Sequence, residues 1–203
     1  MKRFLIFIFF TILLLSSCNK RSYDSFSQVK NRLNNMKSYS TSAHITVYGN
    51  KGIGEYEVKQ YCVFPDKFRV ETIEPLFLKG KVTVFNDGKW KVYHPLIDKY
   101  FEIENLRNID QIVYLGIIQK DLFVSSDSKY KFENKDDKDF IMISCRIPKE
   151  SEYGKFAVLY LNKDNFNPVM MEIIDNSQNV KVRVNYNDFE YNKDFDDSLF
   201  KLN

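Results

Sequence analysis

Residues 61–95, YCVFPDKFRVETIEPLFLKGKVTVFNDGKWKVYHP, decide the fold because they place several strand signals between turn signals and leave no room for a helix. Pro65 and Pro75 each lack the N–H group that a strand ladder needs, so each belongs at a strand end or on a sheet edge. The two prolines bracket one predicted strand, residues 67–74. The stretch therefore predicts a run of consecutive antiparallel strands.

Side chains in this stretch alternate between two faces. The alternation runs through residues 68–73 and again through residues 82–86, and it has the period of a strand with one drier face. Asp87-Gly88 follows the second run, and this dipeptide supplies the positive φ angles that a tight hairpin needs. Val84 and Trp90 are therefore expected to be near neighbours across the hairpin.

The same period of two continues along most of the chain. Further strands are predicted at residues 40–49, 54–64, 99–103, 140–147, 155–161, 168–175 and 179–186, with a polar hairpin region at residues 127–138. The predicted fold class is α+β, with one strongly curved antiparallel sheet of roughly nine to eleven strands whose concave face is covered by two helices.

Two segments have helical spacing instead. Phe26, Val29, Leu33 and Met36 fall on one side of a helix predicted over residues 23–37. A second helix is predicted after a capping residue, Asn108, and its apolar positions are Ile109, Ile112, Val113, Gly116 and Ile117. This second helix is apolar on more than half of its circumference, so it needs a surface to cover it.

The amino terminus has the features of an export signal. Residues 1–3 are basic, residues 4–15 are apolar apart from one threonine, and two serines precede Cys18. An apolar helix of this length reaches about 18 Å, which is short of a hydrocarbon core of about 30 Å. The ending LSSC resembles the bacterial lipoprotein box, in which the cysteine is acylated; the alternative is an ordinary signal peptide with an accidental cysteine. The predicted division is a signal at residues 1–17, a lipidated tether at residues 18–22 and one domain at residues 23–203.

Composition and charge make nucleic acid an unnatural partner. The chain has 203 residues and a formal net charge of +3. Removal of Lys2 and Arg3 with the signal leaves 3 − 2 = +1 on the mature chain. Nucleic-acid-binding domains carry a much larger basic excess.

No catalytic or metal-binding motif is present in the sequence. GxSxG, HExxH, P-loop and GxGxxG patterns are all missing, and His44 and His94 are not spaced with cysteines or carboxylates as metal ligands. The acidic pairs at residues 136–137 and 196–197 are interpreted as solvated loop charges, because adjacent strand residues point to opposite faces and cannot share a proton. We therefore expect a protein that is not an enzyme and that has no cofactor and no metal.

Cys62 and Cys145 are both in phase with the apolar residues of their strands. Two interpretations stay open: buried free thiols, or a disulfide, which an oxidising location permits if the Cα atoms come within about 7 Å.

Several motifs resemble the LolA and LolB lipoprotein-carrier family. They are FPDKFRVE at residues 64–71, EP at 74–75, NDGKW at 86–90, YHP at 93–95 and the closing DSLF at 197–200. The resemblance covers nearly the whole mature chain, and its motifs are structural. It implies a half-open, incomplete antiparallel β-barrel with helices as a lid over an apolar cavity.

With its predicted lipid anchor, the chain resembles the clostridial spore-germination lipoprotein GerS and its relatives more than it resembles the soluble carrier. That resemblance implies a protein that binds and activates a zinc-dependent cell-wall amidase during spore cortex formation. It also implies a location on the extracytoplasmic face of the cell membrane or in the spore envelope.

Two functions therefore compete. The first is a noncatalytic lipoprotein whose open sheet edge or exchanged strand binds a cell-wall amidase, with a strand-exchanged homodimer as a possible assembly. The second is a carrier that binds lipid or acyl chains in its cavity. The candidate cavity-lining residues are Phe68, Val82, Val84, Trp90, Phe101, Ile112 and Ile117. For these residues plain core packing is the simpler interpretation.

Overall fold

A computed structural model describes residues 17–103, 115–135, 137–151 and 154–202. Its strands are β1 Ser38–Gly49, β2 Gly52–Val63, β3 Lys67–Glu74, β4 Val82–Asn86, β5 Lys89–His94, β6 Lys99–Ile103, β7 Lys129–Lys135, β8 Lys138–Ser151, β9 Gly154–Asn162, β10 Pro168–Ile174 and β11 Val180–Tyr191. Its helices are α1 Ser17–Asn34, the short α2 Lys120–Phe123 and three 3-10 helices at Leu76–Leu78, Pro95–Ile97 and Asp197–Phe200.

The described strands form one antiparallel sheet in the order β6-β5-β4-β3-β2-β1-β11-β10-β9-β8-β7. The two halves of the sheet join where β1 pairs with β11. Strands β6 and β7 lie at opposite ends of this order, so the sheet is not closed. The predicted antiparallel sheet with open edges is confirmed.

The predicted bounds of β3 and the predicted Asp87-Gly88 hairpin also match the structure. β3 has the bounds that the two prolines set, and a two-residue loop, Asn50-Lys51, joins β1 to β2. The Asp87-Gly88 hairpin has positive φ angles of 51° and 74°. Strand ends were set less accurately, and β8 and β11 each run several residues beyond their predicted ends.

Helix α1 differs from the prediction at both ends. It begins at Ser17, six residues before the predicted start, so the segment predicted as a tether is helical. It ends at Asn34, because Lys37 is already bound to the sheet: its N–H donates to the side chain of Asn192 at 2.8 Å, and its carbonyl accepts from Phe64 at 2.9 Å.

The second predicted helix falls largely outside the described residues, which resume at Leu115. Ile112 is among the residues that are not described. Leu115 and Gly116 form a turn, and the φ angle of +74° at Gly116 is incompatible with a helix continuing through Ile117. The predicted helix is therefore wrong at its carboxyl end.

The main core lies on one side of the sheet, here called the inner face. Strand residues in register point to this side and are buried, among them Ala43, Val58, Tyr186, Met171, Leu159 and Ile143. Helix α1 covers them with Val29 and Leu33, and Met36 follows just after the helix; all three side chains are fully buried. The segment Leu115–Val124, here called the covering segment, adds Ile117, Ile118 and Phe123.

A smaller core occupies the opposite, outer face of β4. Val82 and Val84 pack there with Phe200 from the last 3-10 helix. Val84 pairs with Lys91 in the hairpin, whereas Trp90 pairs with Phe85, so Val84 and Trp90 are one register position apart and point to opposite faces. The prediction that both valines line a cavity with Trp90 is wrong, because the carboxyl-terminal segment buries the outer face here as well.

Candidate protein-binding surface

The covering segment is held on the inner face by side-chain hydrogen bonds. The Gln60 amide donates to the Leu115 carbonyl at 2.9 Å, and the Tyr186 hydroxyl donates to the Gly116 carbonyl at 2.7 Å. The backbone N–H of Ile118 donates to the Tyr39 hydroxyl at 3.0 Å. These bonds satisfy polar groups that burial would otherwise leave unpaired.

The predicted cavity-lining residues on the inner face are packed. Phe68, Trp90 and Ile117 are at most 3% exposed. The Phe85 ring lies between two of them, with ring centroids 5.8 Å from Phe68 and 5.0 Å from Trp90. Phe101 points to the same side from strand β6 but is 45% exposed. Apart from Phe101, the described candidates on the inner face are covered by the protein's own side chains. This packing favours a filled core over a lipid cavity.

Both remaining cysteines are free thiols in the core. Cys62 lies on β2 and Cys145 on β8, with four other strands between them in the sheet, so the alternative of a disulfide is wrong. Burial raises the pKa of the Cys145 thiol to about 12 and raises that of Cys62 as well. Burial also raises the pKa of Tyr39 and Tyr186 well above the ordinary value. These buried thiols and phenols therefore stay neutral to a higher pH than exposed ones would.

Three of the residues considered for chemistry, His44, Asp196 and Asp197, have structural partners, whereas Nδ1 of His94 is buried without a hydrogen-bond partner among the described residues. His44 Nδ1 lies 2.6 Å from a Glu57 carboxylate oxygen on the neighbouring strand. Asp196 accepts from the Ser198 N–H at the start of the last 3-10 helix, and Asp197 pairs with Lys67 at 2.7 Å. Within the ranges that the structure describes, no group of three or more histidine, cysteine, aspartate or glutamate residues is placed to hold a metal ion.

Large apolar side chains are exposed together at one end of the sheet. Leu76, Phe77, Leu96 and Ile97 are 76%, 63%, 69% and 52% exposed. They lie on the 3-10 helices that follow β3 and β5, and these two helices contact each other. We call this group the apolar tip. Clustered exposure of this kind marks an interaction site.

Sequence reasoning missed the apolar tip. Its residues have the composition of a core, and their hydrophobicity alone suggests burial. The signal that was available is the proline directly before each pair, Pro75 and Pro95, which places the pair in a turn rather than within a strand.

The two edges of the described sheet differ in character. Edge strand β7 carries Lys129, Lys131, Glu133 and Lys135 at alternate positions, and such charges discourage pairing with another chain. Edge strand β6 exposes two aromatic side chains, Tyr100 and Phe101, at 53% and 45%, whereas β7 exposes one, Phe132, at 42%, and that ring contacts Phe26 of α1. β6 is the better edge for contact with a partner.

None of the helices that the structure describes is long and apolar enough to cross a membrane.

The family comparison matches almost the whole chain. The family described as "Sporulation protein YdcC-like" matches residues 1–200. A curated relative, the "Sporulation protein YdcC" of Bacillus subtilis (strain 168), is 23% identical over 199 residues, which is 93% of this chain. The chain spans 56% of that relative's length.

Solved structures share the fold. A chain of the CwlD amidase–GerS lipoprotein complex from Clostridioides difficile is 27% identical, with a TM-score of 0.54 over 83% of this chain and 95% of that chain. An uncharacterized conserved protein from Thermus thermophilus is 14% identical, with a TM-score of 0.58 over 88% and 94%. A putative outer membrane lipoprotein-sorting protein domain from Vibrio parahaemolyticus is 10% identical, with a TM-score of 0.52 over 89% and 96%.

These matches confirm the resemblance to GerS and to the lipoprotein-carrier fold that the motifs indicated. The family match extends over the signal-like segment and the whole described sheet. This chain belongs to the YdcC-like family of sporulation proteins.

Proposed function

We propose that this protein is a noncatalytic, membrane-anchored lipoprotein that binds and activates a cell-wall N-acetylmuramoyl-L-alanine amidase during spore formation and germination. One observation carries the proposal: the similarity, at 27% identity over 83% of the chain, to GerS, whose structure is that of a complex with the CwlD amidase. Membership of a sporulation family supports the same setting.

The partner binds at the β6 edge in this proposal. An edge strand offers unpaired N–H and C=O groups to another chain, and the aromatic side chains of Tyr100 and Phe101 add contact area beside that ladder. The amidase supplies its own zinc ligands. Contact with β6 holds the amidase site in the arrangement that retains the metal.

The anchor brings the sheet close to the membrane. Helix α1 begins at Ser17, next to the proposed acylation site Cys18. Farther along α1, the Phe26 ring lies 4.9 Å from the Phe132 ring on β7, so the helix is packed on the sheet. Only a short helical segment, from Cys18 to Phe26, therefore separates the lipid from the domain.

The Cys18→Ala variant tests the anchor. Without the thiol no acyl chain can be attached, so the variant should leave the membrane fraction or keep its signal segment, and the intact mass of the mature protein should change. Unchanged membrane partition together with unchanged intact mass would remove the lipid anchor from the proposal.

Binding at β6 is tested with the full chain in detergent and the amidase of the same organism. Phe101→Glu should weaken the complex at least tenfold, because it places a charge at the docking edge. Ile53→Glu is the matched control: Ile53 is also a large exposed apolar residue, 66% exposed on β2, but it lies away from β6. Equal affinities for both variants would show that the amidase does not bind at β6.

The strand-exchanged homodimer is tested separately. The molar mass of the chain alone, without the amidase, shows whether it forms.

A further inference from the structure

We propose that the apolar tip is a membrane-docking site that inserts into the surface of an anionic lipid bilayer. Leu76, Phe77, Leu96 and Ile97 are all more than half exposed, whereas most large apolar residues of the described sheet are packed in one of the two cores. Transfer of exposed apolar side chains of this size from water to an apolar medium lowers the free energy. This inference goes beyond the proposed amidase binding and does not depend on it.

Part of the backbone of each turn is satisfied internally. Leu78, Lys79 and Lys81 donate their N–H groups to carbonyls within the first turn at 2.9–3.2 Å, and Gly80 donates to the Thr72 carbonyl at 2.9 Å. In the second turn Asp98 donates to the Pro95 carbonyl at 3.3 Å. These bonds, and the proline at the start of each turn, which has no N–H group, reduce the number of backbone donors that need water when the tip enters the membrane surface.

Polar and aromatic groups of the kinds found at a membrane interface lie near the tip. Tyr100, 53% exposed, packs against Tyr93 with ring centroids 4.9 Å apart. Lys79 and Lys99 are exposed beside the two turns. Tyrosine rings favour the headgroup level, and lysine stems can extend along an apolar surface while the ammonium groups reach lipid phosphates.

The charge near the tip favours an anionic surface. Residues 74–81 and 94–100 contain three lysines and two carboxylates, a balance of 3 − 2 = +1. One of the carboxylates, Asp98, accepts a hydrogen bond from the Tyr93 hydroxyl at 3.0 Å. The exposed ammonium groups of Lys79 and Lys99 are therefore placed to meet lipid phosphates.

The size and shape of the tip favour lipid over a protein partner. Its four side chains lie on two three-residue turns beyond the strand ends, and so they protrude rather than form a broad patch. A stable protein interface buries about 800 Å² per partner, which needs a larger surface than two short turns provide. A bilayer accepts a small protruding tip without a complementary shape.

Quenching by brominated lipids tests the insertion. The full chain is reconstituted into phosphatidylcholine vesicles with or without phosphatidylglycerol, and Phe77→Trp is compared with Phe132→Trp, an exposed aromatic position on β7. Trp90, the only native tryptophan, is 3% exposed and provides the background in every sample. Brominated lipid should quench Phe77→Trp at least twofold more than Phe132→Trp, and only in vesicles that contain phosphatidylglycerol.

The lysines are tested in the Phe77→Trp background. Lys79→Glu with Lys99→Glu should abolish the extra quenching, whereas Lys51→Glu with Lys129→Glu, at two other exposed positions, should leave it intact. Equal quenching of Phe77→Trp and Phe132→Trp would overturn the proposal, as would an emission shift of Phe77→Trp that appears only when the amidase is added. The quenching measurements are made without amidase, so equal quenching leaves the amidase proposal standing.

Discussion

Trp90 links the edge half of the sheet to the main core at the scale of single residues. It is 3% exposed, and its ring lies 5.0 Å from the ring of Phe85, its cross-strand partner. Phe85 in turn stacks on Phe68 at 5.8 Å with an interplanar angle of 20°. This row of rings carries the packing of the inner face from β3 to β5.

Trp90→Ala should lower the free energy of unfolding by roughly 3–5 kcal/mol, because it removes a buried ring and leaves a cavity. The matched variant Tyr100→Ala, at a position 53% exposed, should cost less than about 1 kcal/mol. Urea unfolding monitored by circular dichroism measures both variants. A loss below about 1 kcal/mol for Trp90→Ala would mean that the ring does not support the core.

The buried thiols predict a loss of stability in alkali. Burial raises the pKa of Cys145 from the ordinary value of 9.0 to about 12, so between these values the unfolded chain loses a proton that the folded chain keeps. The free energy of unfolding therefore falls as pH rises from about 9 to about 12, and at pH 10.5 this one thiol contributes a loss of about 2 kcal/mol. Below pH 9 its contribution to stability is fully present.

Urea unfolding at pH 8 and pH 10.5 measures this effect. The Cys145→Ala variant should lose less stability between the two pH values than the unsubstituted chain, by about 2 kcal/mol. Other buried groups with raised pKa values, including Tyr39 and Tyr186, are common to both proteins and cancel in the comparison. Identical pH dependence in the two proteins would show that Cys145 ionises normally in the folded state.

At the scale of elements, the sequence predicts the bounds of strand β3, but it does not predict which face of the sheet the valines of β4 occupy. Prolines stop the ladder on both sides of β3, so local chemistry sets its bounds. Alternation along β4 places Val82 and Val84 on one side, but it cannot say which side is the inner face when both sides are covered. The cover comes from Phe200, more than a hundred residues later in the chain.

The covering segment depends on the close approach of Gly116 to the sheet. Gly116 has a φ angle of +74°, and a Cβ atom there would lie 3.0 Å from the Gln60 amide nitrogen and 3.0 Å from a Val184 methyl carbon. Gly88 has the same φ angle of +74° but has nothing within 4 Å of a Cβ atom. Comparing substitutions at the two glycines therefore distinguishes the cost of backbone strain from the cost of steric overlap.

Gly88→Ala should cost about 1–2 kcal/mol of unfolding free energy, the cost of a left-handed backbone with a Cβ atom. Gly116→Ala should cost about 1–3 kcal/mol more, because the added atom also pushes against Gln60 and Val184. Thermal or urea unfolding of both variants gives the difference. Equal costs would show that the covering segment can move away from the sheet without penalty.

At the scale of the whole molecule, the apolar side chains that pack in the two cores lie apart from most of those that stay exposed. Helix α1 and the covering segment fill the inner face, and the last 3-10 helix covers part of the outer face. The large apolar side chains that stay exposed include those of the apolar tip and of edge strand β6. Most of these exposed side chains therefore lie toward one edge of the described sheet, with Ile53 on β2 and Phe132 on β7 as exceptions.

The sequence predicts the family resemblance better than the position of the exposed surfaces. Its motifs resemble the carrier family along nearly the whole chain, and the family and the GerS similarity follow from that pattern. The exposure of Phe77 and Ile97 depends on two turns meeting in space. Hydrophobic periodicity carries no information about such a meeting.

The amidase activity and zinc content of a mixture test the central claim most directly. The purified full chain should show no hydrolase activity alone. Mixed in near-equal amounts with the amidase of the same organism, it should raise both the hydrolysis rate and the zinc that the amidase retains through dialysis, and Phe101→Glu should lose both effects while Ile53→Glu keeps them. If neither activity nor zinc retention changes, and extracted lipid co-purifies stoichiometrically with the protein, the account is contradicted and the lipid-carrier function replaces it.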